Sequence, residues 1–277
     1  MAKGKDEHRM LFDLRGGRRG QVVKVVYALL AVLMGLSLFL VIGGFNLAEL
    51  FNSGTSTGDA AKPYEEQAER LEVKLKKDPD NPDLLLSLTR AQVNAGNAQV
   101  TVEASGQQAF TPEAIQAYEE ADQTWSEYLK ATDEPNAGLA LLMSPTLLKL
   151  GEFSRTYPEA DTNVKAAVEA QRIVAEERPS INAFTTLAYY TYFTGDFAAA
   201  EKAEKEAKKL AGGKSEVEAI DKQLAEIEKN ARRYIAAKEK AEKEAKAAGG
   251  SGGGGQPGTI QPGENPFGAG GGGLSGP

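Results

Sequence analysis

Residues Ser180 to Leu210 read SINAFTTLAYYTYFTGDFAAAEKAEKEAKKL, two helical segments around a Gly195-Asp196 turn. Phe184, Leu187 and Ala188 recur at helical spacing before the turn, and Phe197, Ala200 and Ala207 do so after it. The small Ala188 and Ala200 let two antiparallel helices approach closely, while Phe184, Leu187 and Phe197 fill the groove between them. Gly195 stands where the first helix must end in a left-handed turn, a conformation that a β-carbon disfavours.

The same rhythm extends towards the N-terminus as far as Pro63, with almost no strand-like alternation. Pro63 suits the first turn of a helix, and Glu65 and Glu66 suit the positive end of its dipole. The turn Asp78-Pro79-Asp80-Asn81-Pro82 then leads into a helix from Asp83 to Asn97. Asp78, Asp80 and Asp83 have calcium-loop spacing, but the central glycine is missing and Thr89 takes the place of the terminal glutamate, so they read as turn residues. Tyr118, Glu119, Glu120, Ala121, Trp125, Tyr128 and Leu129 form a further helix whose partner is the one ending at Gly96. Between them Gln99 to Phe110, with Ser105-Gly106, reads as an insertion. A second excess, Ser154 to Asp161, separates helices at Asn136 to Gly151 and Asn163 to Arg178. Pro145 removes an amide donor and crowds the Leu141 carbonyl, which predicts a kink or break.

Leu85, Leu88, Gly96 and Asn97, and with them the Ser180 to Leu210 pair, resemble the tetratricopeptide repeat. That unit of 34 residues has large and small apolar slots and Gly-Asp or Gly-Asn between its helices. Thr89 departs from it, standing where Gly or Ala is usual. The resemblance covers roughly Pro63 to Leu210 and implies an all-α, irregular helical solenoid over residues 63–214. It also implies a concave protein-binding surface made by Leu86, Arg90, Val93 and Asn94 from one unit and Thr185, Tyr189, Tyr192 and Phe193 from another. There Arg90 suits a carboxylate, Asn94 a peptide backbone, and Tyr189 with Tyr192 the role of rigid anchors. The alternative for the tyrosines is packing against the adjacent helix.

Residues 215–248 begin with a capping box, Ser215 and Glu218, and carry Val217, Ile220, Leu224, Ile227, Ala231 and Tyr234 at steps of three and four. This helix is expected to cap the solenoid, a coiled-coil dimer being the alternative, and to project into solvent beyond Ile235. Residues 249–277 hold fourteen glycines in 29 positions, a composition expected to be disordered.

At the other end, Val25 to Phe45 is an apolar run of 21 residues, thirteen of them Leu, Ile, Val or Phe. As a helix it spans about 30 Å, the hydrocarbon thickness of a bilayer. Residues 1–24 supply Lys3, Lys5, Arg9, Arg15, Arg18, Arg19 and Lys24, whereas residues 46–62, a polar spacer, hold only Lys62. The positive-inside rule therefore puts the N-terminus in the cytoplasm and the helices outside it, on a single-pass anchor in the cell membrane. The run exceeds the apolar part of a cleaved signal peptide. The basic arm suits anionic lipid headgroups, and its Arg15-Gly16-Gly17-Arg18-Arg19 cluster reads as a stop-transfer flank rather than an RNA-binding segment.

A net charge of −7 opposes nucleic-acid binding by the helical region. There is no cysteine, and the single histidine, His8, lies in the basic arm. No phosphate-binding loop or serine elbow occurs, so no catalytic, metal or cofactor residue is assigned and the chain does not read as an enzyme. The expectation is a membrane-anchored scaffold of bacterial type that presents an interaction surface to protein partners. An ancillary factor of protein secretion or envelope assembly, associated with a translocon, and a passive envelope spacer are the alternatives. A reporter active only outside the cytoplasm should give signal when fused at Gly250; signal from a cytoplasm-only reporter there would reverse the topology.

Overall fold

The computed structural model describes residues 57–102, 108–248 and Ile260. The basic arm, the 25–45 run, residues 46–56 of the spacer and nearly all of the tail lie outside the described residues. Among the described residues, no helix is long and apolar enough to cross a membrane.

Eight helices make up this part: α1 (Thr57–Leu75), α2 (Pro82–Ala98), α3 (Pro112–Ala131), α4 (Ala137–Phe153), α5 (Tyr157–Glu177), α6 (Ile181–Thr194), α7 (Phe197–Leu210) and α8 (Lys214–Ala248). The described region is thus all-helical but for one short ribbon. Six helices start on a side-chain cap: Asn81, Thr111, Asn136, Thr156, Ser180 and Asp196 each accept from an amide two or three residues on. Each cap satisfies donors that the first helical turn leaves unpaired. Gly195 ends α6 at φ 86°, the left-handed turn expected for it.

Successive helices pack as hairpins, α2 on α3, α4 on α5 and α6 on α7. In front, α1 packs on α2 through Ala68, Leu71, Leu88 and Ala91. Behind, α8 lies across α6 and α7. A continuous apolar cluster runs from Leu85 and Val93 through Trp125, Leu139, Met143 and Val164 to Leu224 and Tyr234. Within it, Ser144 donates to Gln171 Oε1 at 2.9 Å, and Gln171 Nε2 donates to the Ala183 carbonyl at 3.0 Å. This buried chain ties the α4–α5 hairpin to α6.

Several expectations need correction. Helix α1 begins at Thr57, so residues 57–62 are helical and Pro63 sits inside the helix rather than in its first turn. The Gln99–Phe110 insertion is not simple loop: Val100–Val102 (β1) pairs antiparallel with Gln108–Phe110 (β2). β-Branched Val100, Thr101 and Val102 favour that geometry, and the ribbon delivers Phe110 against Phe153, centroids 5.0 Å apart. Helix α4 runs unbroken through Pro145. Leu141, whose carbonyl loses its partner there, is on the exposed side, where water can take the bond. No loop fills Ser154–Asp161, because the next helix starts at Tyr157 on the Thr156 cap.

At α8 the capping box is unused. The first turn closes on the Gly213 carbonyl, and Gly212 N donates to Glu216 Oε2 at 2.6 Å. The helix also stays docked beyond Ile235, since Lys238 pairs with Asp161 of α5 and Ala241 packs on the core. Ile260, in the segment expected to be disordered, packs against the core and donates its amide to the Arg155 carbonyl at 2.9 Å.

Among the described glycines the tightest surroundings are at Gly96, where an added β-carbon would stand 2.5 Å from Tyr118 Cε1 and 3.1 Å from the Ala114 carbonyl. Tyr118 is held by its hydroxyl, 2.8 Å from Asn97 Oδ1. Gly96→Val should therefore lower the unfolding free energy by about 1–3 kcal/mol, measured by denaturant titration, despite the helix-propensity gain over glycine.

Candidate functional site

Four of the eight residues expected to line an open surface are buried. Val93 is wholly within the core, and Thr185, Tyr192 and Phe193 are covered as well. Thr185 Oγ1 turns back onto the Ile181 carbonyl at 2.9 Å. The Tyr192 hydroxyl donates to Glu204 Oε2 of α7 at 2.9 Å, so this ring packs on the adjacent helix. Phe193 meets Tyr234 of α8 with centroids 6.0 Å apart. Phe193 is covered because the last helix, α8, packs on α6 there.

Tyr189 is half-buried, edge-on to Phe193 at 5.5 Å. Burial, with the Glu152 charge adding to it, pushes its hydroxyl up to about 12. Leu86 also packs against the core and Asn94 is half-buried. Arg90 alone of the eight is fully on the surface. Its guanidinium and that of Arg178 both come within 4 Å of where a β-carbon on Gly138 would stand, at the start of α4. The eight residues do not form one open groove.

An open groove does exist on the other side of α6. Phe184, Leu187, Thr191 and Thr194 line it at steps of three and four, about half a turn from Tyr189. Its walls are Val168, Arg172 and Ala175 of α5 and Ala199, Lys202 and Ala203 of α7, enclosing about 570 Å³. The floor is apolar. The rim carries both signs, with Lys165, Arg172 and Lys202 against Glu169, Glu176 and Glu206, and Arg172 paired to Glu169. Ala199 and Ala203 hold the space open, because larger residues on α7 would fill it. The residues of α5 and α7 were not identifiable as one surface from the sequence. Their periodic signal marks helices, while their juxtaposition depends on how hairpins stack.

Among the described residues no three His, Cys, Asp or Glu side chains are placed to hold a metal ion. No protein-family model matches the chain, and neither a curated protein nor a solved structure is found similar to it.

The core and surface assignments separate in stability measurements. Tyr192→Ala should destabilise the chain by about 3–5 kcal/mol through the cavity it leaves, whereas exposed Arg90→Ala should stay within about 0.5 kcal/mol; equal effects in denaturant titrations would contradict these placements.

Proposed function

We propose that this chain is a membrane-anchored, tetratricopeptide-like scaffold that binds a segment of a partner protein outside the cytoplasm. The carrying observation is the apolar groove over Phe184 and Leu187, walled by α5 and α7 and left unfilled by the chain's described residues. The stacked hairpins, the Gly195 turn and the close contact at Gly96 support the repeat reading. The apolar run Val25 to Phe45 and its basic flank support the anchor and its orientation.

The occupant is an amphipathic helix. Its apolar face would cover Val168, Phe184 and Leu187, burying surface that otherwise stays in water, and its polar edges would meet the mixed rim. A floor with one sign of charge would select an acidic or basic peptide. This floor selects shape and hydrophobicity, with the rim setting direction.

A photocrosslinking residue at Lys202, on the groove, should give a discrete protein adduct in native membranes, and the same residue at Lys222, on α8, should not. Leu187→Asp in the full chain should remove the Lys202 adduct by placing a carboxylate on the apolar floor, with circular dichroism verifying that the helices persist. Equal adducts at both positions, or a Lys202 adduct that survives Leu187→Asp in a folded chain, would refute the groove.

A further inference from the structure

Three parts of the chain meet at the head of α5. Tyr157, its first residue, is buried and lies against the Tyr234 ring of α8, centroids 5.7 Å apart. One turn further on, Asp161 pairs with Lys238 of α8, the two side chains only 15% and 17% exposed. The third part is the tail. Ile260 is half-buried against the core and donates its amide to the Arg155 carbonyl at 2.9 Å.

That carbonyl is set up to receive a donor from outside the helix. The Thr156 carbonyl already takes the Ala160 amide, at 3.0 Å, so the Arg155 carbonyl lies one residue before the helical ladder. Arg155 is itself held, its amide donating to Glu159 Oε2 at 3.1 Å, and Thr156 is extended at φ −130° and ψ 150°. An amide meeting this stretch bonds as one strand bonds another. On the other side of the contact, Ile260 is the one isoleucine or valine among residues 249–277, and its β-branched side chain has few rotamers to lose on docking.

We infer that Ile260 and the head of α5 form a releasable clasp that straps the far end of α8 onto α5. The site takes one branched aliphatic residue on an extended segment, and the chain's own tail supplies it. From Lys238 to Ala248 the helix runs ten residues past the Asp161 contact, about 15 Å. Residues 249–259 are seven glycines in eleven positions, and a chain of that length and composition has an end-to-end reach of about 18 Å. The linker therefore matches the return to α5, the condition under which a tether raises effective concentration most. One half-buried side chain and one hydrogen bond are a weak contact, sustained by that tether and easily released without it.

The clasp stands on its own residues and does not require the α5–α7 groove. Amide hydrogen exchange on the full chain in detergent micelles tests it. With isoleucine labelled selectively by nitrogen-15, the Ile260 amide should exchange at least fivefold more slowly than the intrinsic rate for its sequence. Ile260→Asp should speed exchange across residues 236–248 of α8, followed by mass spectrometry, at least threefold, because a carboxylate cannot replace the aliphatic contact. Ile260→Val should keep α8 at its original rate, and so should Leu274→Asp, which places the same charge elsewhere in the tail. An Ile260 amide exchanging at its intrinsic rate, α8 exchange unaltered by Ile260→Asp, or an equal acceleration by Leu274→Asp would each overturn the clasp.

Discussion

Close approach of paired helices, set by small residues at the crossing points, is the constraint on which the rest of this structure depends. Gly96 faces the Tyr118 ring, and Ala188 and Ala200 are wholly buried between α6 and α7. Small residues at the crossing points let paired helices meet, with large side chains such as Tyr118 and Tyr192 packed beside them, and each hairpin turns its outer faces to its neighbours. Those outer faces then pack on the next hairpin. Where they are fully matched they form the core, and where they are not they leave grooves.

The buried polar chain from Ser144 through Gln171 to the Ala183 carbonyl shows how neighbouring hairpins are held in register. Tyr190 adds its hydroxyl to Ser144, and burial raises that hydroxyl well above the usual tyrosine range. A buried hydrogen bond adds modest net stability, but a register that leaves Gln171 unpaired would be costly. Leucine and alanine contacts along the same helices tolerate sliding by a turn far better. The network therefore selects one stacking of α4, α5 and α6, and that stacking sets the width of the groove over Leu187. In the same way α8 selects which face of α6 is free, since Tyr234 and Ile235 cover the side bearing Phe193 and Gly195.

A second groove, between α1, α2 and α3, differs in chemistry from the one over Leu187 for a reason visible in the walls. Around α6 the neighbours are Val168, Ala175 and Ala203, so the space is apolar and mixed charges stay at the rim. Around α2 the neighbours are glutamates on α1 and α3. The described helices thus carry one apolar and one acidic groove.

The helical fold was legible because its determinants are local. Periodicity marked the helices, Gly195 marked a left-handed turn, and Gly96 marked the partner of the Tyr118 helix across an insertion. Boundaries were less legible. Pro145 proved compatible with a continuous helix, and the Ser215–Glu218 pattern lost to a turn closed by Gly213 and Glu216. The surface was the least legible part, since repeat phase alone placed Val93, Thr185, Tyr192 and Phe193 on an open face that the structure buries. By itself the sequence determined the helical character of the described region, its hairpin pairing, the chain's acidity and an apolar run long enough to span a bilayer, because spacing, turn chemistry and composition act within a few residues. Which faces stay open was decided only by tertiary structure: a side chain on α6 is core or surface according to whether α8 lies over it, and that depends on contacts between segments some forty residues apart, such as Phe193 with Tyr234.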